Sequence, residues 1–359
     1  MNHDNIHLET NFEKYISRKL TELGDTDGWR ISMDDTGFDP NTALYMPDFI
    51  EYVTATAPDK VEKMKKNLGG NWESNLRMAL VKSLENAGTV TTLREGFKMA
   101  GYQTIKCSGH YPDDPRLPNQ KKEYDANILR VMHQVHYQTA GGKSLDMVFF
   151  VNGIPVATAE IKTELTQTVQ DAIEEYQNER RPIEPGTNRK NFLLMYKRGA
   201  VVHFAISEDE VWMCTNLEPA KPKFLPFNKG TEDGHAGNPP MEKDSDEYPT
   251  GYFWNQILRK DNWLRIFHNF VFEEVEKKED ITGRIRPVAK QMFPRYHQFD
   301  VVTKCIEDVR RNGVGQKYLI EHSAGSGKTE TITWISHDYV AKSREIPTPA
   351  VKQCLLLDN

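Results

Sequence analysis

Residues 143–162 read K-S-L-D-M-V-F-F-V-N-G-I-P-V-A-T-A-E-I-K, and their register decides the fold. Two apolar runs flank Asn152-Gly153, the dipeptide that most strongly signals a tight hairpin because both residues tolerate positive φ. Asp146 stands at the start of the first run and Glu160-Ile161-Lys162 ends the second. Residues two apart in a strand share a face, so Glu160 and Lys162 project together. A two-residue loop would pair Val151 with Ile154 and Asp146 with Ala159, turning Asp146 away from them. A three-residue loop with Gly153 left-handed pairs Phe150 with Ile154 and Asp146 with Thr158, and all three ionisable groups then share a face. The spacing therefore predicts a bulge or an odd-length turn. Two acids and a lysine on one sheet face are the set that metal-dependent phosphodiester hydrolysis needs.

The 359-residue chain is long enough for two or three domains, and its formal net charge of -6 excludes a generally basic nucleic-acid binder. Any DNA site must come from local basic patches, partners or metal. Cys107, Cys214, Cys305 and Cys354 are far apart and lack Cys-x-x-Cys spacing, which fits reduced structural thiols in a cytoplasmic protein. No signal peptide is evident, nor any apolar run near the ~20 residues needed to cross a membrane.

Residues 8–24 read as an amphipathic helix capped by Thr10 or Asn11, with Phe12, Tyr15, Ile16, Leu20 and Leu23 as its apolar stripe and Gly24 as its stop. Its acids Glu9 and Glu13 have two readings, a solvated face or, for Glu13, a place at the metal site. A helical insertion is expected over about 40–110, divided at Gly69-Gly70 and Gly88, with Lys60–Lys66 a solvated helix face. A proline-rich loop covers 107–124. The segment N-I-L-R-V-M-H-Q-V-H-Y-Q-T has strand composition, which would place His133 and His136 on opposite faces and argues against a histidine metal pair. A helix over about Thr166–Arg181 follows the hairpin, and further strands in 192–207 and 210–217 give β-β-α-β-β, a mixed sheet. Residues 221–250 are a Gly/Pro/Asp-rich loop, 252–277 read as helical, and a new unit starts near Phe293.

Residues 317–336, K-Y-L-I-E-H-S-A-G-S-G-K-T-E-T-I-T-W-I-S, carry a second motif. His322 stands where the first glycine of G-x-x-x-x-G-K-[ST] belongs, but the A-G-S-G-K-T core is intact, set between an expected strand at Tyr318–Ile320 and a helix from Lys328. Gly325, Ser326 and Gly327 would wrap phosphate oxygens, Lys328 reach the β and γ phosphates, and Thr329 ligate Mg2+. The terminal C-L-L-L-D-N reads as a second strand with no Walker B acid after it. The chain is thus expected to be the N-terminal piece of something longer, binding ATP weakly and not turning it over alone.

Glu-x-Lys by itself is uninformative. Glu276-Lys277-Lys278 also matches and reads as a charged helix end, whereas Glu160-Ile161-Lys162 closes an apolar strand behind a turn. The plainer reading of that hairpin is a surface ion pair between Glu160 and Lys162. In the functional reading, Asp146 and Glu160, with the Ile161 carbonyl, hold one or two Mg2+ and Lys162 orients or deprotonates the attacking water.

Taken together, L-D-M-V-F-F-V-N-G-I-P-V-A-T-A-E-I-K, A-V-V-H-F-A-I-S-E-D-E-V-W-M-C-T-N-L, F-L-P-F-N-K-G with G-N-P-P, and F-P-R-Y-H-Q followed by H-S-A-G-S-G-K-T, in this order, resemble the restriction (R, motor) subunit of type I restriction-modification enzymes. The resemblance covers essentially the whole chain. It implies an α/β architecture: a PD-(D/E)xK nuclease-like mixed sheet with a helical insertion over 1–255, a helical linker over 256–290, and the start of a RecA-like superfamily 2 motor domain over 291–359. It implies nuclease roles for Asp146, Glu160 and Lys162, adenine reading by Gln298, and phosphate binding by Lys328 and Thr329. The cofactors implied are Mg2+ and ATP. The partners implied are double-stranded DNA and separate modification (methyltransferase) and specificity subunits, with cleavage following ATP-driven translocation. Leu145 replaces the proline of the motif's name. The Gln-x-x-x-Tyr element of some members is not matched, since Gln170 and Tyr176 are too far apart, which leaves Gln170, Tyr176 and Arg180 without an assigned role. The rival readings are a helicase-like translocase with a non-catalytic nuclease fold and an ATP-independent repair nuclease.

Overall fold

The computed structural model describes residues 3–24, 28–111, 117–163, 167–242, 245–279, 284–313, 315–322 and 325–342. Helix α1 (His3–Thr21) is followed by β1 (Arg30–Ser32), then α2 (Met46–Thr56), α3 (Pro58–Leu68) and α4 (Trp72–Glu95). A small hairpin, β2 (Phe97–Met99) and β3 (Gln103–Ile105), and α5 (Pro118–Asp125) lead to the central strands β4 (Leu129–His136), β5 (Ser144–Val151) and β6 (Ile154–Ile161). Helix α6 (Val169–Asn178) precedes β7 (Val202–Ile206), β8 (Val211–Cys214) and β9 (Leu225–Pro226). Helix α7 (Lys260–Arg265) lies between π-helical turns at Phe253–Ile257 and Ile266–Phe270; β10 (Phe272–Glu279), β11 (Ile285–Met292), α8 (Tyr296–Asn312) and α9 (Lys328–Lys342) complete the described chain.

The main sheet has seven strands in the order β1-β4-β5-β6-β7-β8-β9. Pairs β1/β4 and β6/β7 are parallel and the others antiparallel, so the sheet is mixed, as expected. Both faces are covered, which is why β5 and β6 are near-continuous apolar runs. Met147, Phe149 and Val151 join the larger cluster with α1, α4 and α7; Val148 and Phe150 join the smaller one with Ala172, Ile173 and Tyr176 of α6. Trp29, Phe149 and Trp263 meet edge to face or tilted at 5.5–6.2 Å in the first. The capping box of α6, in which Thr168 and Asp171 satisfy each other's backbone N–H, fixes where that helix starts and so which residues face the sheet.

The helical insertion is present as α2–α4. Its expected divisions hold: Gly69–Asn71 is a 3-10 turn, and Gly88 breaks α4 with φ 83°, where Thr89 N–H donates to Lys197 O at 2.7 Å. The insertion ends differently from expectation, since Phe97–Met99 is a strand and not helix. Helix α1 starts before Thr10 and Asn11, which lie inside it instead of capping it. Within the expected 107–124 loop, Pro118 opens α5.

The larger correction falls on 252–290. Helix gives way after Phe270 to the β10/β11 ribbon, so the expected helical linker is half strand, and Glu276-Lys277-Lys278 is strand as well. Charge on both faces hides the period-2 pattern, and the stabilising pairs, such as Glu274 opposite Lys290, are distant in sequence. Tyr318–Ile320 forms no strand, because a parallel strand needs a neighbour to bond. Within 291–359, where a motor start is expected, the described helices are α8 and α9. The C-L-L-L-D-N segment lies outside the described residues.

Candidate active site

The β5/β6 hairpin begins with the two-residue turn. Val151 pairs with Ile154 and Phe150 with Pro155, and Asn152 and Gly153 have φ 50° and 73°. The register then shifts, with Phe149 opposite Ala157, so Val156 is an extra residue. Val156 and Ala157 consequently both enter the same core cluster. Beyond the bulge Val148 faces Thr158 and Met147 faces Ala159. Beyond that pair Asp146 accepts from Ile161 N–H, which places it beside Glu160. The predicted bulge is therefore present, but inside β6 and not at the turn, and the expected pairings Phe150–Ile154 and Asp146–Thr158 are not made.

The surroundings of the turn explain this. Buried Asn152 donates through Nδ2 to Cys107 O (2.8 Å) and Asn127 Oδ1 (2.9 Å), while its Oδ1 accepts from Ile128 N–H (2.7 Å). A Cβ on Gly153 would sit 2.0 Å from Tyr45 O. The turn is pinned from outside the hairpin. The irregularity falls instead beside Pro155, whose missing N–H already interrupts the ladder.

Asp146, Thr158, Glu160 and Lys162 all work on the α6 side. Asp146 Oδ2 accepts from Ile161 N–H (2.8 Å) and Oδ1 from Gln134 Nε2 (3.3 Å). Glu160 is fully buried; its Oε1 accepts from Arg180 Nε at 2.5 Å, and its Oε2 has no partner. Lys162 Nζ lies 3.2 Å from Glu175 Oε2, and Glu175 Oε1 also accepts from Arg180 Nη2. Burial drives the Glu160 carboxyl well above the ordinary carboxylate range, Asp146 adds to that, and Arg180 only partly offsets it.

The remaining predicted residues separate clearly. Tyr176 OH lies 2.7 Å from Thr158 Oγ1, which also meets His203 Nδ1 at 2.8 Å. Gln170 is exposed beside Glu174 and takes no part in the site. Glu13 is buried, not solvated, with Oε2 3.2 Å from His133 Nδ1, and His133 Nε2 is 2.7 Å from Ser17 Oγ. Burial raises the Glu13 carboxyl, His133 pulls it back, and the charges of Asp146 and Lys162 both reach it. His136 pairs instead with Asp35 at 2.9 Å. The reading of the residues missed Gln134, whose φ of 48° breaks the regularity of β4 and brings its amide onto Asp146. It also left Arg180 unassigned. The only local signal for Arg180 was its spacing four residues after Tyr176, matching the two-residue spacing of Thr158 and Glu160 across the helix–strand contact.

Among the described residues no group of three or more His, Cys, Asp or Glu is arranged to hold a metal ion. Two carboxylates, one of them with an unpartnered buried oxygen, nonetheless fit a hard ion that keeps several waters. All are oxygen donors, which suits Mg2+ over a transition metal.

The Gly325–Thr329 loop lies against the start of α8. Gln298 Nε2 donates to Gly327 O (2.9 Å), Arg295 Nη2 to Gly325 O (3.2 Å), and His297 Nε2 is 3.1 Å from Ser326 O. Gly325 and Gly327 have φ 72° and 81°. Lys328 Nζ donates to His322 O (3.2 Å), and Lys328 and Thr329 are exposed on the first turn of α9. The structure thus brings Gln298, Gly325, Ser326, Gly327 and Lys328 together, while Thr329 belongs to this second site and not to that of Asp146 and Glu160. No described helix is long and apolar enough to cross a membrane.

Residues 13–222, more than half of the chain, match the family described as Type I restriction enzyme R protein N terminus. The chain is also similar to a protein of Methanocaldococcus jannaschii that carries the name "Putative type I restriction enzyme MjaVIIIP endonuclease subunit". The identity is 22% over 230 residues, 60% of this chain and 19% of the relative. The chain therefore spans about a fifth of the length of that curated relative.

Proposed function

Because the chain belongs to the type I restriction enzyme R protein N-terminal family, we propose that its hairpin is the endonuclease site of an ATP-dependent restriction subunit. The site would hydrolyse phosphodiester bonds of double-stranded DNA. Asp146, Glu160 through Oε2, and the Ile161 carbonyl would hold Mg2+. The ion, when bound, supplies Lewis-acid activation of water and phosphate. Lys162, held by Glu175, orients the attacking water and offsets charge on the phosphate. The observation that carries this reading is the bulge at Val156, past which Asp146 accepts from Ile161 N–H beside Glu160, together with the unpartnered Glu160 Oε2.

The loop formed by Gly325, Ser326, Gly327, Lys328 and Thr329, braced by Gln298, would bind ATP with Mg2+ on Thr329. ATP-driven translocation would belong to the complete subunit, and site recognition and methylation to partner subunits. The relative's name as an endonuclease subunit supports the same assignment.

The test uses the complete restriction complex with Mg2+, ATP and plasmid DNA. Glu160→Ala or Lys162→Ala is expected to cost on the order of a hundredfold or more in cleavage while sparing ATP hydrolysis, and Lys328→Ala to remove both. Cleavage that survives Glu160→Ala and Lys162→Ala but not Lys328→Ala would make the hairpin structural. Plasmid nicking by the 359-residue chain without ATP would favour a repair nuclease.

A further inference from the structure

We infer that Arg180 sets the ion preference of the site, by holding Glu160 Oε1 so that only Oε2 can reach a metal. This rests on the nuclease reading above and deepens it. Arg180 is buried at 6% exposure and held from several directions. Its Nε donates to Glu160 Oε1 at 2.5 Å and its Nη2 to Glu175 Oε1; Nη1 lies 3.7 Å from Glu179, and the guanidinium sits 6.0 Å from the Tyr137 ring centre. A planar fork fixed at this many points does not give up one oxygen cheaply. Glu160 Oε2 meanwhile is buried and has no partner. The carboxylate is therefore divided, with one oxygen bonded to protein and one left for an ion.

That division discriminates between ions of equal charge. Ca2+ takes about 6–8 oxygens at roughly 2.3–2.6 Å and often uses both oxygens of a carboxylate. Mg2+ needs a near-octahedral shell at about 2.0–2.1 Å, keeps several waters and accepts single carboxylate oxygens. Arg180 repels any divalent cation equally through its charge, so a change in the ratio of the two affinities reports ligand number and not field. Glu175 extends the arrangement to Lys162, since its carboxylate bridges Arg180 and Lys162 Nζ. Arg180 is thus a positioning residue for the metal-binding carboxylate and, through Glu175, for the lysine.

The experiment is competition of Mg2+ and of Ca2+ against Mn2+ on the 359-residue chain, read by the Mn2+ electron paramagnetic resonance signal. In the wild type, Mn2+ binding is expected to be lost on Glu160→Gln. In Arg180→Gln, the preference for Ca2+ over Mg2+ is expected to rise roughly tenfold as Oε1 becomes available. Arg180→Lys, which keeps a donor and the charge, is expected to stay near the wild-type ratio. An unchanged ratio in Arg180→Gln, or equal shifts for both ions, overturns the inference and leaves the nuclease reading standing. Absence of Glu160-dependent Mn2+ binding in the wild type removes both. Should Arg180→Gln fail to fold, Mn2+-soaked wild-type crystals decide: one Glu160 oxygen on the ion with Arg180 still on the other supports the inference, and both oxygens on the ion sinks it.

Discussion

The Asp146 carboxylate accepts a 2.8 Å hydrogen bond from the backbone N–H of Ile161, the residue between Glu160 and Lys162. This bond ties the acid of one strand to the middle of the Glu-x-Lys segment on the next, so the position of each acid depends on the other. It separates two losses that an alanine substitution would merge. Asp146→Asn keeps an oxygen for the Ile161 N–H but loses the charge. It is expected to melt close to the wild type while cleavage by the restriction complex falls on the order of a hundredfold or more. Asp146→Ala also orphans the Ile161 donor and should cost an additional 1–3 kcal/mol or so of stability in urea unfolding. If the two variants are equally destabilised, the bond has no structural role.

Asn152 makes a separate prediction about the turn. It has φ 50° and no exposure, and it joins the hairpin to Cys107, Asn127 and Ile128. Asn152→Ala leaves several buried backbone and amide groups unsatisfied and removes a residue that tolerates positive φ. A loss of about 2–4 kcal/mol is expected, measured as a lower urea midpoint at unchanged slope. A change below about 0.5 kcal/mol, the ordinary range for surface positions, would show that the turn holds without this side chain.

These two positions show what was legible in the sequence. Asn152-Gly153 announced the hairpin, and the parity of Asp146, Glu160 and Lys162 required an irregularity, because period-2 geometry admits no other way to gather them. Locating the irregularity at Val156 needed the third dimension, since Tyr45, Cys107, Asn127 and Ile128, remote in sequence, pin the turn. Arg180 was illegible for a similar reason: its role depends on α6 packing on β6 so that Tyr176 in the helix and Arg180 just past its end meet Thr158 and Glu160. Glu13 carried two readings until the packing of α1 against His133 buried it. The start of the ribbon, 272–277, reads as helix because charges on both its faces erase the alternation that marks a half-buried strand.

Buried histidines give the fold a pH dependence of defined sign. Desolvation lowers His203 from the ordinary histidine range to about 3, so it is neutral in the folded protein while an unfolded chain would protonate it near pH 6.5. A lowered folded value means the stabilisation is complete above the unfolded value and is lost as pH falls through the window from 6.5 towards 3. By pH 5 this one residue should cost about 2 kcal/mol relative to pH 8. Glu13 and Glu160, raised by burial, act in the opposite direction, so the test is a difference. His203→Gln, which can still bond Thr158, should melt more nearly like the wild type at pH 5 than at pH 8. A constant gap between the two proteins across that range would contradict the assignment.

Gln298 links the start of α8 to the Gly325–Thr329 loop. Its Oε1 accepts from Arg295 N–H at 2.9 Å, capping the first turn of α8, and its Nε2 donates to Gly327 O at 2.9 Å. The two ends of one amide thus serve two elements, and one substitution can divide them. Gln298→Glu keeps an acceptor for the Arg295 N–H but replaces the donor facing Gly327 with a second acceptor, setting oxygen against oxygen at the loop. Helix α8 should persist, with the far-ultraviolet circular dichroism unchanged. Binding of a fluorescent ATP analogue by the full-length subunit should weaken roughly tenfold or more, the ordinary cost of one buried bond replaced by repulsion. Equal affinity in Gln298→Glu and wild type would mean that the loop adopts its phosphate-binding shape without help from α8.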